Sequence, residues 1–161
     1  MISATARKQI EKVMIRYPEE EKRSALLPAL HIVQKENQGF LTEDLMKEVA
    51  DILEITPLQV YEVATFYTLY NLKPVGKYHI QVCRTLPCAL MGAEKLVAYL
   101  EEKLGIHQGG TTPDNLFTLT EVECLASCGT APMMQINQTY YESLNKSKVD
   151  QILEDLRKKE K

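Results

Sequence analysis

The sequence predicts an α+β chain: an N-terminal helical bundle over residues 1–74, followed by a small α/β domain with a mixed sheet over residues 75–161. Three observations carry this. Apolar residues recur at three- and four-residue spacing up to about Leu72. "KPVGK" (Lys73 to Lys77) then breaks the pattern. From Tyr78 onward, segments that alternate apolar and polar residues are interleaved with helical ones, in the order strand, helix, strand, strand, strand, helix.

In the first half, Ile10, Val13, Met14 and Tyr17 mark one apolar helix face. A second helix is expected in "SALLPALHIVQKENQGFL", with Leu26, Leu27, Leu30 and Val33 on one side, Pro28 tolerated in its first turn, and "NQG" as its stop. The third runs through "TEDLMKEVADIL", with Leu45, Val49, Ile52 and Leu53 apolar. The fourth begins at "TPLQ" and its pattern runs on through "VYEVATFYTLYNL". Thr56 is its expected N-cap, Pro57 its first helical residue, and Gln59 completes a capping box.

In the second half "KYHIQVC" reads as a half-buried strand with Tyr78, Ile80 and Val82 on one face. "ALMGAEKLVAYLEEKLG" reads as one helix ending at Gly105, and "HQGGTTPDN" as a loop. "LFTLTEVEC" reads as a strand, and "MMQIN" with "TYYES" as a hairpin. The last helix, "SKVDQILEDLRKK", has Ser147 as expected N-cap and Val149, Ile152, Leu153 and Leu156 on its apolar side.

Composition narrows the function. A formal charge of −3, with basic residues clustered only in "RKKEK" at the C-terminus, argues against a nucleic-acid surface. The opening residues show no signal-peptide core, and no apolar run reaches membrane length, so a soluble cytoplasmic chain is expected. Thiols stay reduced in that compartment, which disfavours structural disulfides. No glycine-rich phosphate loop, paired catalytic carboxylates or nucleophile elbow is present, and no catalytic residue is assigned.

The chemistry therefore rests on the four cysteines, Cys83, Cys88, Cys124 and Cys128. Each pair falls where a predicted strand ends, a position from which two loops can converge. Four thiolates so placed suit a tetrahedral zinc or a 2Fe–2S cluster. Intervening gaps of four and three residues are wider than the two of a zinc knuckle, and so favour the dinuclear cluster. A thiol–disulfide oxidoreductase would normally space its cysteines two apart, which neither pair does. A zinc-stabilised interaction module stays open as the reading from another class. His31, His79 and His107 sit in helix, strand and loop patterns with no cysteine pairing, and are not expected as ligands. Small residues around the second pair (Ala126, Ser127, Gly129) are expected to let backbone amides approach the sulfurs.

The stretch from "SALLPALHIVQ" through "VYEVATFY", "GKYHIQVC" and "LPCALMGAEKL" to "CLASCGTAPMMQIN" resembles the thioredoxin-like 2Fe–2S ferredoxin family. The E-type component of NADH:quinone oxidoreductase, respiratory complex I, belongs to that family. The resemblance covers nearly the whole chain. It implies a thioredoxin-like second domain, cluster ligands at Cys83, Cys88, Cys124 and Cys128, and an electron-transfer role. It further implies docking on an F-type flavoprotein subunit that binds FMN and NADH, and proximity to a larger iron–sulfur subunit. The implied location is the peripheral arm on the cytoplasmic side of the inner membrane, with no membrane insertion. Oxidoreductase activity would belong to the complex, with no turnover by this chain alone. Equivalent subunits of NAD-dependent hydrogenases and formate dehydrogenases share the pattern. Three positions depart from it: Ala89 stands where histidine is frequent, "CLASC" replaces "CLGAC" so that Ala126 occupies a glycine position, and "PDNLF" replaces "DGxF".

Overall fold

The computed structural model describes residues 1–160. The chain divides into two compact units, Met1–Val75 and Gly76 onward. The described residues form seven α-helices and a four-stranded mixed sheet, a mixed α+β fold.

The first unit is built from α1 (Ala4–Met14), a 3-10 segment (Glu19–Ala25), α2 (Leu26–Glu36), α3 (Glu43–Leu53) and α4 (Pro57–Phe66). Side-chain caps fix three of the starts. Ser3 accepts from the Ala6 amide, Thr42 from Leu45, and Thr56 with Gln59 forms the complete capping box ahead of Pro57. Ile10, Leu30, Val33, Val49, Leu53 and Val60 meet in one fully buried core. Leu27 departs from the expected face: it is 37% exposed, because at 100° per residue it turns away while Leu26, Ala29, Leu30 and Val33 point inward. Tyr17 lies beyond the end of α1, at the surface.

The fourth helix stops sooner than its sequence pattern. Tyr67 is already extended (φ −90°, ψ 113°). The residues after it direct their polar groups to α2 and the turn behind it. The Tyr70 hydroxyl donates to the Leu27 carbonyl at 2.8 Å, the Asn71 amide donates to Gln34 Oε1 at 2.8 Å, and the Leu41 amide donates to the Asn71 carbonyl at 2.7 Å. Tertiary hydrogen bonds override local helix propensity there.

The second unit contains β1 (Tyr78–Cys83), α5 (Leu86–Leu90), α6 (Ala93–Leu104), β2 (Phe117–Val122), β3 (Met134–Ile136), β4 (Thr139–Tyr141) and α7 (Lys146–Lys158). The sheet order is β2-β1-β3-β4, with β1 parallel to β2 and the other two pairings antiparallel. In-register partners Ile80 and Leu119, and Val82 and Met134, put one apolar face together. That face packs with Leu100 of α6 and with Val149, Leu153 and Leu156 of α7. Gly76 permits the close approach of the strand ends: a Cβ there would lie 2.8 Å from the Phe117 carbonyl carbon.

Two element boundaries differ from the sequence pattern. The single helix expected after Cys88 is two, because Gly92 adopts φ 96° and starts α6 afresh. The last helix is capped by Asn145, whose side chain accepts from the Lys148 amide at 2.9 Å, so Ser147 falls inside the first turn.

His79 sits on the other sheet face, 8% exposed, with Nε2 2.8 Å from Thr120 Oγ1. Burial pulls its pKa down from 6.5 to about 4. The native state holds it neutral while the unfolded chain protonates near the ordinary value. This contribution to stability is therefore complete above pH 6.5 and is lost as pH falls towards 4, by roughly 3 kcal/mol. Urea unfolding across that window should show a smaller decline for His79→Gln than for the parent chain. Equal slopes would contradict a buried neutral histidine.

Candidate metal centre

Cys83 is the last residue of β1, and Cys88 lies in α5, five residues on. Thr85 precedes α5, and Pro87 occupies its second position, where a missing N–H costs nothing. The parallel register sets Cys83 opposite Val122, the last residue of β2. Cys124 follows two residues later, and Cys128 opens a short 3-10 turn. Both cysteine-bearing loops thus leave the same end of adjacent strands.

Several bonds tie the loops together. The Arg84 amide donates to the Val122 carbonyl at 3.0 Å, and its guanidinium donates to Glu123 Oε1 at 3.0 and 2.7 Å. Those two charged residues immediately follow Cys83 and precede Cys124. Both are more than half exposed, so the pair contributes at most about 1 kcal/mol and acts chiefly on alignment. The Cys83 amide donates to the Met133 carbonyl at 3.3 Å.

All four thiols are free; Cys83 and Cys88 are buried and Cys124 and Cys128 exposed. The inner two rest on a small apolar floor with Ala93 and Met133, flanked by Leu125 and Ala131. The Ala126 amide donates to Cys124 Sγ at 3.3 Å, and the Leu125 and Met133 amides lie near enough to Cys83 and Cys88 to favour their thiolates. Thr85 Oγ1 lies 3.3 Å from Cys83 Sγ.

These surroundings split the thiols. Burial opposes ionisation of Cys83, but the bonds from Thr85, the Leu125 amide and Cys88 prevail and hold its pKa below the ordinary value. Burial, then the bond to Cys83, pushes Cys88 up to about 11. Cys128 is raised by desolvation and then by Cys124. The sulfurs thus feel one another within and between the pairs. Among the described residues no three His, Cys, Asp or Glu side chains are arranged around one metal ion. The donor set is four sulfurs in two adjoining pairs, on an apolar floor, with amides directed at them. That set fits a 2Fe–2S cluster, which the four thiolates would hold, with an amide donor to stabilise the charge.

The second loop is held from outside the cysteine pattern. The Glu142 carboxylate accepts from both the Ser127 and Thr130 hydroxyls, the latter at 2.6 Å, and these bonds hold its pKa below the usual carboxylate value. Nothing in the spacing of the sequence signals this residue or Thr85. Ala126 has φ 60°, in the left-handed region that favours glycine. The expectation for Gly129 needs qualification, since a Cβ there would meet no protein atom within 4 Å. Packing within this chain therefore does not require glycine at that position. Of the histidines, His31 is exposed beside the Tyr70 ring, His79 is engaged with Thr120, and His107 is exposed near Glu101.

Beside the first loop lies an open cleft of about 300 Å³ lined by Arg84, Ala89, Ala93, Glu94, Glu121 and Glu123. Its three carboxylates disfavour a phosphate-bearing ligand.

Known proteins agree with this architecture. A family model described as thioredoxin-like [2Fe-2S] ferredoxin matches residues 10–157. The E-type component of NADH-quinone oxidoreductase from Rickettsia prowazekii (strain Madrid E) is 49% identical over 144 residues, which is 89% of this chain and 81% of the relative. The second E-type component of the same oxidoreductase from Rhizobium meliloti (strain 1021) is 46% identical over 157 residues, 98% of this chain and 92% of the relative. A crystal structure of NAD+-reducing [NiFe]-hydrogenase in the air-oxidized state aligns with TM-score 0.72 at 22% identity, over 83% of this chain and 23% of that one. At that identity the likeness is one of fold.

Replacing Ala126 with glycine should remove the left-handed penalty and raise the unfolding free energy by about 0.5–1 kcal/mol, net of glycine's greater unfolded-state entropy. Denaturant titration of the metal-free chain measures it, and a loss of stability would contradict the left-handed backbone at this residue.

Proposed function

The chain belongs to the thioredoxin-like [2Fe-2S] ferredoxin family, and from that premise we propose that Cys83, Cys88, Cys124 and Cys128 hold one 2Fe–2S cluster in an electron-transfer subunit of NADH:quinone oxidoreductase. The observation that carries the site assignment is the convergence of two strand-end loops that carry four free thiols, with the Ala126 amide donating to Cys124. When bound, such a cluster accepts and returns one electron at a time. The chain's own residues provide the rest. Cys83 and Cys88 anchor the buried side, Cys124 and Cys128 the exposed side, and the amides of Leu125, Ala126 and Met133 favour a reduced, more negative centre.

The cluster-bearing unit (75–161) is read as the electron carrier, and the helical unit (1–74) as a module for packing and additional partner contact. Oxidation of NADH is assigned to a separate FMN-bearing flavoprotein subunit, and the carboxylate-lined cleft beside the first loop supports that division. The docking surface is placed on α5, where Leu86, Leu90 and Met91 are 71, 77 and 62% exposed around buried Cys88. No helix among the described residues is long and apolar enough to cross a membrane. Placement in a peripheral arm on the cytoplasmic side belongs to the same proposal.

Electron entry tests the assignment. NADH should bleach the visible absorbance of this chain only when the flavoprotein subunit is present, whereas dithionite should bleach the isolated chain. Replacing Leu86 and Leu90 with aspartate should weaken subunit association without loss of cluster absorbance. Reduction of the isolated chain by NADH would overturn the division of labour, and unchanged association would move the docking surface elsewhere.

A further inference from the structure

We propose that Glu142 is a positioning residue: its carboxylate latches the Cys124–Cys128 loop in the shape that presents both thiols, holding it against the left-handed backbone at Ala126. This rests on reading those two cysteines as ligands. The Ser127 and Thr130 hydroxyls both donate to one oxygen of Glu142, and the two hydroxyl oxygens are themselves 2.8 Å apart. The carboxylate thus joins two side chains of the loop to the segment after β4. Two main-chain bonds extend the same seam, from the Ser143 amide to the Thr130 carbonyl at 2.7 Å and from the Leu144 amide to the Pro132 carbonyl at 3.0 Å.

The geometry places the latch where relaxation would start. Ala126 lies midway between the two cysteines, and its Cβ makes φ 60° unfavourable. A loop free to relax would rotate Ala126 back to negative φ and carry the following residues with it. Ser127, next in sequence, is the residue that Glu142 holds, and Cys128 follows it directly. A bond at Ser127 therefore opposes that rotation one residue before the sulfur. The latch is exposed and local, so its loss should loosen this loop while leaving the packed sheet and α7 intact.

Three measurements on this chain decide the matter, using Ser127→Ala, Glu142→Ala, the pair combined, and Ala126→Gly added to Ser127→Ala. In the metal-free chain, hydrogen exchange at the amides of residues 125–130 should quicken about fivefold or more in each single variant. The combined variant should exchange no faster than Glu142→Ala alone, because both changes remove the same bond. Adding Ala126→Gly should restore slow exchange to within about twofold of the parent. The thermal midpoint of the Ser127→Ala and Glu142→Ala variants should stay at the parent value, which a general structural role for Glu142 would not allow, and Ala126→Gly should raise it. In the anaerobically purified chain, loss of visible absorbance to a chelator should follow the same order. Unchanged exchange in the single variants would overturn the latch, as would failure of Ala126→Gly to rescue. Faster exchange with unchanged chelator loss would overturn its bearing on ligand presentation. Should the parent chain carry no iron at all, the ligand reading fails while the exchange result still decides the latch.

Discussion

The parallel, in-register pairing of β1 with β2 is the constraint on which the site depends. Cys83 faces Val122 across that pairing, so the loops carrying Cys88 and Cys124 emerge side by side from one end of the sheet. A slip of one residue would turn Cys83 towards the core and Ile80 and Val82 away from it, and separate the pairs. The register is held by the buried apolar face, where Ile80 and Leu119 meet, and by the tight strand approach that Gly76 allows. Parallel strands need a crossover, and here it consists of α5 and α6. The connection that the topology demands also carries the second thiol.

Placing four thiols together has an electrostatic consequence. The thiols are unequal in acidity, with Cys83 held below the ordinary thiol value by its hydrogen bonds and Cys88 pushed up to about 11 by burial and by Cys83. A cationic centre would remove that opposition and draw all four towards thiolate, so cluster binding and loop order reinforce each other. The chain meets this from two directions. The first loop is ordered from below by the apolar floor of Ala93 and Met133, and the second from the side by Glu142. Arg84 and Glu123 link the two at the surface.

Much of this was legible in the sequence for definite physical reasons. The Thr56–Pro57–Gln59 cap is a local interaction and reads directly. The alternation in "KYHIQVC" is a strand period, and the cysteines at strand ends follow from it. What escaped was set mostly by contacts distant in sequence, and otherwise by single backbone angles. The run after Phe66 has helical composition, but Tyr70 and Asn71 bond to Leu27, Gln34 and Gly39 instead. Gly92 divides a helix that periodicity alone would continue. Glu142 lies fifteen residues from Ser127, and no spacing rule joins a carboxylate after a short strand to a hydroxyl between two cysteines. The departure of Ala126 from glycine was visible as a substitution, but its cost shows only in the backbone angle.

The most direct test of the cluster assignment is a Mössbauer spectrum of the iron-57-enriched chain, purified without oxygen and reduced with dithionite, with iron and acid-labile sulfide counted on the same sample. About two irons and two sulfides per chain are expected, both irons tetrahedral in sulfur, with distinct ferric and ferrous sites after one-electron reduction. An alanine at any one of Cys83, Cys88, Cys124 or Cys128 should alter or abolish that spectrum. A single metal per chain without sulfide, or an unchanged spectrum in one of the four variants, would contradict four-cysteine ligation of a dinuclear cluster.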